Sequence, residues 1–245
     1  MCGIAGLIAP GGGDAAELER IALRMADALA TRGPDDRGAW VEADAGLALG
    51  HRRLSIVDPT PLGAQPMISA SGRYVIAYNG EVYNTRELRC ALAGRALRGR
   101  SDTEVLLEAI SRWGVDDAVR RVNGMFAFAL WDRDRRVLTL ARDRIGKKPL
   151  YYGHAENRFV FASELKALRT DPGFDAVIDR DALALFIRFS YVPSSLCIYR
   201  GIHKLPPGTL LTIGADGTPD PDGPRAFWSA REMAEKATRQ THDWT

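Results

Sequence analysis

Met125-Phe126-Ala127-Phe128-Ala129-Leu130-Trp131 is an apolar run without a charge, bounded by Gly124 and Asp132. A strand with one wet face alternates apolar and polar residues. This run does not, so it is predicted to be a central strand covered on both faces. On its C-terminal side, Arg133 to Arg135 reads as a turn into a strand over Val137 to Ala141, and Leu150 to Gly153 with Phe159 to Ala162 reads as a hairpin. On its N-terminal side, strands are predicted at Gly38 to Glu42, Leu47 to His51, Leu54 to Val57 and Tyr74 to Tyr78, separated by glycine, proline and aspartate turns. Helical periodicity appears over Asp14 to Ala30, where Leu18, Ile21, Ala22, Met25 and Leu29 share a face, and it stops at Arg32-Gly33-Pro34-Asp35. Two further helices are predicted, Asn84 to Leu92 and Asp102 to Trp113. Capping pairs open all three: Asp14 with Glu17, Asn84 with Glu87 and Ser101 with Glu104. Antiparallel strands with helices on their outer faces make an α+β layered sandwich.

The remainder of the chain is less regular. Ala182 to Phe189 reads as helix and Gly208 to Ile213 as a last strand. After Gly214 the sequence Ala-Asp-Gly-Thr-Pro-Asp-Pro-Asp-Gly-Pro has linker chemistry, and Phe227 to Gln240 is a short helix with no evident partner. The 245 residues are 46% hydrophobic and 26% charged, which suits a globular protein with a substantial core. The 33 basic and 31 acidic residues are interspersed, so nucleic acid is not an expected partner. Cys2, Cys90 and Cys197 have neither disulfide-framework nor CxxC spacing, and a reducing cytoplasm is the expected compartment. His51, His154, His203 and His242 have no ligand spacing, so no metal site is proposed from the sequence. No apolar run suits a membrane helix, and no charged n-region marks a signal peptide.

The chain begins Met1-Cys2-Gly3-Ile4-Ala5-Gly6. A small second residue permits removal of the initiator methionine, which would give Cys2 both a thiol and a free α-amine. With reference pKa values of about 8.5 and 7.7–8.0, the amine can take the thiol proton near neutrality. The alternative reading makes Cys2 a small hydrophobe opening a strand, Cys2 to Ile8. Tyr78-Asn79-Gly80-Glu81-Val82-Tyr83-Asn84 also has two readings. Asn-Gly is a hairpin signal at the end of a strand, and equally an asparagine amide beside an unobstructed glycine N–H can face a developing oxyanion. Arg53 is either a functional cation or half of a surface pair with Arg52. Asp102 is either a functional anion or a first-turn acid favoured by the helix dipole.

Taken together, Cys2-Gly3-Ile4-Ala5-Gly6, Arg32-Gly33-Pro34-Asp35, His51 to Asp58, Gln65-Pro66, Asn79 to Asn84 and Ser101-Asp102-Thr103-Glu104 resemble the class II glutamine amidotransferase domain in order and spacing. The arginine motif, Gly124 to Ala129 and Arg142 to Tyr152 resemble, more narrowly, glutamine-hydrolysing asparagine synthetases. The resemblance runs from Cys2 to about Ile213. It implies an N-terminal-nucleophile hydrolase fold, a four-layer α/β/β/α sandwich of antiparallel sheets. It also implies that Cys2 attacks the side-chain amide of glutamine, with Asn79 and Gly80 as oxyanion hole. Arg53 would bind the substrate α-carboxylate and Asp102 its α-ammonium. Glu81 would add a contact to the amino end, and backbone groups of Ile56 and Val57 would line the pocket. Arg32 to Asp35 is expected to be a structural loop. The charged stretch Arg142 to Tyr152 is expected either to face a synthetase domain or to be a solvated face.

Such synthetases also adenylate aspartate, on a domain announced by a Ser-Gly-Gly-x-Asp-Ser loop. Gly11-Gly12-Gly13 lacks its serine and aspartate. The expectation is therefore a glutaminase domain over 2–213, followed over 214–245 by a linker and the truncated start of a synthetase domain. No cofactor is expected for glutamine hydrolysis, since ATP and magnesium belong to the synthetase domain. The possible partner is a separate synthetase domain or subunit that accepts ammonia. Two rivals stand beside this reading: a glutaminase serving another acceptor, and a catalytically idle docking domain.

Overall fold

The computed structural model describes residues 1–95, 97–193 and 196–239. In chain order, β1 (Gly3–Ile8), α1 (Ala15–Asp27), β2 (Asp36–Glu42), β3 (Leu47–Arg53), β4 (Met67–Ile68) and β5 (Tyr74–Val82) come first. Three helices follow, α2 (Thr85–Ala91), α3 (Asp102–Trp113) and α4 (Val115–Arg121). Then come β6 (Gly124–Asp132), β7 (Val137–Arg142), β8 (Tyr151–Ala155), β9 (Arg158–Ala162), α5 (Leu165–Leu168) and α6 (Arg180–Phe189). The described chain closes with β10 (Ile202–Lys204), β11 (Thr209–Gly214), β12 (Arg225–Ala226) and α7 (Ala230–Arg239). The expected end of the last helix at Gln240 lies outside the described residues.

Two antiparallel six-stranded sheets form, in the orders β10-β8-β9-β1-β3-β2 and β12-β11-β7-β6-β5-β4. The central-strand reading of 125–131 explains how they stack. Phe126, Phe128 and Leu130 of β6 pack outward against Leu88, Leu106 and Val119 of α2, α3 and α4. Ala127, Ala129 and Trp131 point the other way, onto Ile4, Leu49 and Phe161 of the first sheet. The outer face of that sheet is covered by Leu18, Ile21 and Met25 of α1 and by Leu168 of α5. Helix, sheet, sheet and helix thus form the four-layer α/β/β/α sandwich. Each large side chain removed from water contributes roughly 1.5–3 kcal/mol.

Several local expectations are corrected. Leu54 to Val57 is not a strand, because its backbone donors go to side chains: Leu54 N–H to Cys2 Sγ at 3.4 Å and Ser55 N–H to Asp35 Oδ2 at 2.7 Å. Asn79-Gly80 is not a turn. β5 runs through it, with Asn79 opposite Ala127 and Gly80 opposite Phe126. Asp14 and Ser101 cap as expected, accepting from Glu17 N–H and Glu104 N–H. Asn84 does not cap; its side chain accepts from Asn123 N–H and donates to Arg121 O, joining two connections. α4 was not foreseen, since only Ala118 and Val119 of it are buried, too few for a periodicity signal. Phe227 precedes α7 and is buried, stacking on Phe126 with centroids 6.4 Å apart, while β12 pairs with β11. α7 itself has no buried residue.

Candidate active site

The register of β1 against β3 sets the nucleophile candidate in place. Gly3 lies opposite Arg52, so Cys2, just ahead of β1, comes beside Arg53 and Leu54 at the end of β3. The Cys2 thiol accepts from Leu54 N–H and donates to Leu54 O at 3.8 Å. Burial pushes the Cys2 thiol up, against the opposing pull of the Leu54 hydrogen bond, the chain terminus and Arg53. A thiol more firmly protonated than usual needs a base to become a nucleophile.

The Arg32-Gly33-Pro34-Asp35 loop braces this end of the sheet. Arg32 Nε donates to Cys2 O at 2.9 Å, while its Nη1 pairs with Glu164 at 2.8 Å. The Met1 ammonium donates to Arg32 O at 3.0 Å. Gly33 lies so close to the β3 backbone that a Cβ there would meet the Arg52 carbonyl carbon at 2.4 Å. The loop is therefore packed as a brace.

The two arginines of β3 separate by strand alternation. Arg52 bonds Gly33 O at 2.9 Å and lies near Asp27. Arg53 is 7% exposed and turns inward, where its guanidinium donates to Asp58 O and to Thr60 O. It is no surface residue. Asp102, at the start of α3, is also buried. Its Oδ2 accepts from Val82 N–H at 3.0 Å and Tyr78 O–H at 3.3 Å, and its Oδ1 from Thr103 N–H. Burial raises its pKa, while these donors oppose the shift.

Asn79 is 1% exposed, and its Nδ2 is a buried donor with no partner among the described residues. An unused buried amide is costly, on the order of 1–3 kcal/mol. Next to it, Gly80 has no room for a side chain: a Cβ would meet Met125 O at 2.5 Å and Tyr78 Oη at 2.6 Å.

A cavity of about 150 Å³ brings these groups together. Every residue singled out from the sequence lines it: Cys2, Arg53, Ile56, Val57, Asn79, Gly80, Glu81 and Asp102. Ile56 and Val57 are 75% and 52% exposed. Both therefore line the cavity while much of their surface faces water. Glu81 sits exposed at the rim.

The cavity also contains residues given no role by the sequence, among them Gln65, Tyr78 and Lys148. Gln65 accepts from Tyr78 N–H at 2.7 Å, tying the 54–66 loop to β5. Lys148 is buried, as are Arg142 and Asp143, so a solvated face is the wrong description of that part of 142–152. The available signal was the position of Lys148 in a motif shared with the resembled family; its side-chain direction was not readable. No group of three or more His, Cys, Asp or Glu residues is disposed to hold a metal among the described residues. No described helix is long and apolar enough to cross a membrane.

The sequence profile of the glutamine amidotransferase domain matches residues 1–228. Among similar proteins, asparagine synthetase [glutamine-hydrolyzing] 3 of Bacillus subtilis is 42% identical over 201 residues, which is 79% of this chain and 32% of that one. Asparagine synthetase [glutamine-hydrolyzing] 1 of the same organism is 38% identical over 220 residues, 89% of this chain and 34% of that one. The solved glutamine phosphoribosylpyrophosphate amidotransferase from B. subtilis superposes with a TM-score of 0.66, covering 92% of this chain and 49% of that one. At 20% identity that likeness speaks for the fold. The chain spans about a third of the length of the two synthetases it matches.

Proposed function

The chain belongs to the glutamine amidotransferase domain family, and on that premise we propose that it hydrolyses glutamine to glutamate and ammonia, with Cys2, freed of Met1, as nucleophile. The Cys2 sulfur attacks the side-chain amide carbon while the thiol proton passes to the Cys2 α-amine. The protonated amine returns that proton to the departing nitrogen, so ammonia leaves and a thioester remains. Water then cleaves the thioester, which releases glutamate and restores the thiol. This thiol and amine chemistry uses no cofactor.

The observation that carries the proposal is Asn79 Nδ2, a buried donor without a partner among the described residues, on the cavity that Cys2 lines. The tetrahedral oxyanion would supply its missing acceptor, beside the bare α-carbon of Gly80. The guanidinium of Arg53, held in place by the carbonyls of Asp58 and Thr60, suits the substrate α-carboxylate by its charge, and the buried Asp102 carboxylate suits the α-ammonium. Glu81 at the rim and the backbone of Ile56 and Val57 complete the proposed binding site.

The released ammonia is proposed to serve aspartate amidation on a synthetase unit that uses ATP and magnesium. The glutaminase unit is taken as 2–213, and 214–245 as the lead-in to that unit, docked back on the sandwich through Arg225 to Phe227. Residues 240–245 lie outside the described residues. Three free thiols, with Cys90 exposed, suit a reducing cytoplasm.

Intact mass before and after treatment with 6-diazo-5-oxo-norleucine tests the proposal. Loss of Met1 and a single adduct mapped to Cys2 are expected, and Cys2→Ala should release no glutamate. Turnover persisting in Cys2→Ala would defeat the mechanism.

A further inference from the structure

Lys148 is a cation held inside the protein against a weak partner. It is 3% exposed, and its Nζ donates only to Met1 Sδ, at 2.9 Å, among the described residues. A thioether is a poor acceptor and does little to offset the desolvation of an ammonium. The position is nevertheless built. Asp143 accepts from the Lys148 N–H at 2.9 Å, and Arg142 Nε donates to the Lys148 carbonyl at 2.8 Å. Both backbone ends of Lys148 are thus fixed by buried charged side chains.

The surroundings limit what this charge can act on. Lys148 lines the cavity with Cys2, Arg53, Glu81 and Asp102; Arg32 and Asp143 also act on it through charge, and the chain terminus acts on Cys2. The Asp143 carboxylate is occupied by four backbone N–H groups, from Phe126, Ile145, Lys147 and Lys148. Arg32 is paired with Glu164, and Arg53 is bonded to loop carbonyls. Lys148 is the cation of this cavity whose contact is with Met1, the residue whose loss exposes the α-amine of Cys2.

We infer that Lys148 is a positioning residue for the nucleophile: once Met1 is removed, its ammonium keeps the Cys2 α-amine neutral and ready to accept the thiol proton. The inference rests on the glutaminase reading above. A like charge on the same cavity, in contact with the residue that precedes Cys2, disfavours the ammonium form of the amine, so the amine loses its proton at lower pH than it otherwise would. The acidic limb of the kcat/KM profile reports that proton.

The experiment is the pH profile of glutamate release for wild type, Lys148→Met, Lys148→Gln and Lys148→Arg. The two neutral variants should move the acidic limb upward by about one pH unit. Activity then falls by up to about tenfold below the limb and recovers in alkali. Lys148→Arg should keep the limb near its wild-type position. A uniform loss at every pH in the neutral variants, with the limb unmoved, would reduce Lys148 to a structural role. A readout free of variants is the pH dependence of wild-type Cys2 α-amine acylation by an N-hydroxysuccinimide ester, mapped by mass spectrometry. A midpoint clearly below the reference range of about 7.7–8.0 is expected, and one at or above it overturns the inference. A wild type that is inactive and takes no adduct at Cys2 defeats the glutaminase reading itself. An active, processed wild type with an unmoved limb in Lys148→Met defeats only the role of Lys148.

Discussion

Asn79 and Gly80 are adjacent in β5 but are proposed to act by opposite means, one through a side chain and the other through lacking one. The Asn79 amide has been withdrawn from water and has no acceptor among the described residues, while Gly80 keeps Tyr78 Oη and Met125 O close. An amide held ready for charge that appears only during reaction lowers the barrier more than it aids binding. Asn79→Ala should therefore cut kcat for glutamine hydrolysis by about 10²–10³ with little change in KM. Steady-state glutamate release measures both constants, and a change confined to KM would count against the oxyanion role. The types of these residues and their order were legible in the sequence. That the pair sits within a continuous strand was not, because Asn-Gly reads locally as a hairpin and only pairing with Ala127 and Phe126 holds it extended.

The segment joining β7 to β8 shows how a loop can be held as firmly as a strand. Asp143 is fully buried and gathers four backbone N–H groups, while Arg142 donates to the carbonyls of Gly146, Lys148 and Leu205. Among the described residues neither charge is paired by a salt bridge to a side chain across the fold; each is satisfied by backbone dipoles instead. Asp143→Asn keeps the shape but turns an amide NH₂ toward N–H donors. It should destabilise the protein by about 2–4 kcal/mol in chemical denaturation, the cost of leaving buried donors unsatisfied. A loss below about 0.5 kcal/mol would show that the loop is held by other contacts. In the sequence this stretch allows a face towards a synthetase domain or a solvated face, because its charge density and its motif do not say which side chains turn inward.

The two sheets meet through a largely apolar interior, and one of the polar contacts that cross it lies beside Tyr78, which lines the cavity. His51 of β3 is fully buried, and its Nε2 lies 3.0 Å from the Tyr78 carbonyl of β5 in the opposite sheet. Burial lowers its pKa from 6.5 to about 4, so the folded molecule keeps it neutral. The unfolded chain takes up this proton near 6.5 and the folded one only near 4. Stability is therefore undiminished above about pH 6.5, falls as pH drops through that window, and levels off below about 4. The loss from this group is about 3 kcal/mol over the window. Denaturant midpoints from pH 7 to 4 should fall more steeply for wild type than for His51→Gln, and parallel curves would remove His51 as the cause. The sequence by itself determined the layered α+β class, the covered central strand at 125–131 and the residue types of the site, because periodicity and motif order are local properties of the chain. Only the tertiary structure decided that Leu54 to Val57 stays a loop, that Arg53 turns inward while Arg52 turns out, and that Lys148 reaches the start of the chain. Those outcomes depend on which backbone donors and charges find partners across the fold, and sequence distance does not encode that.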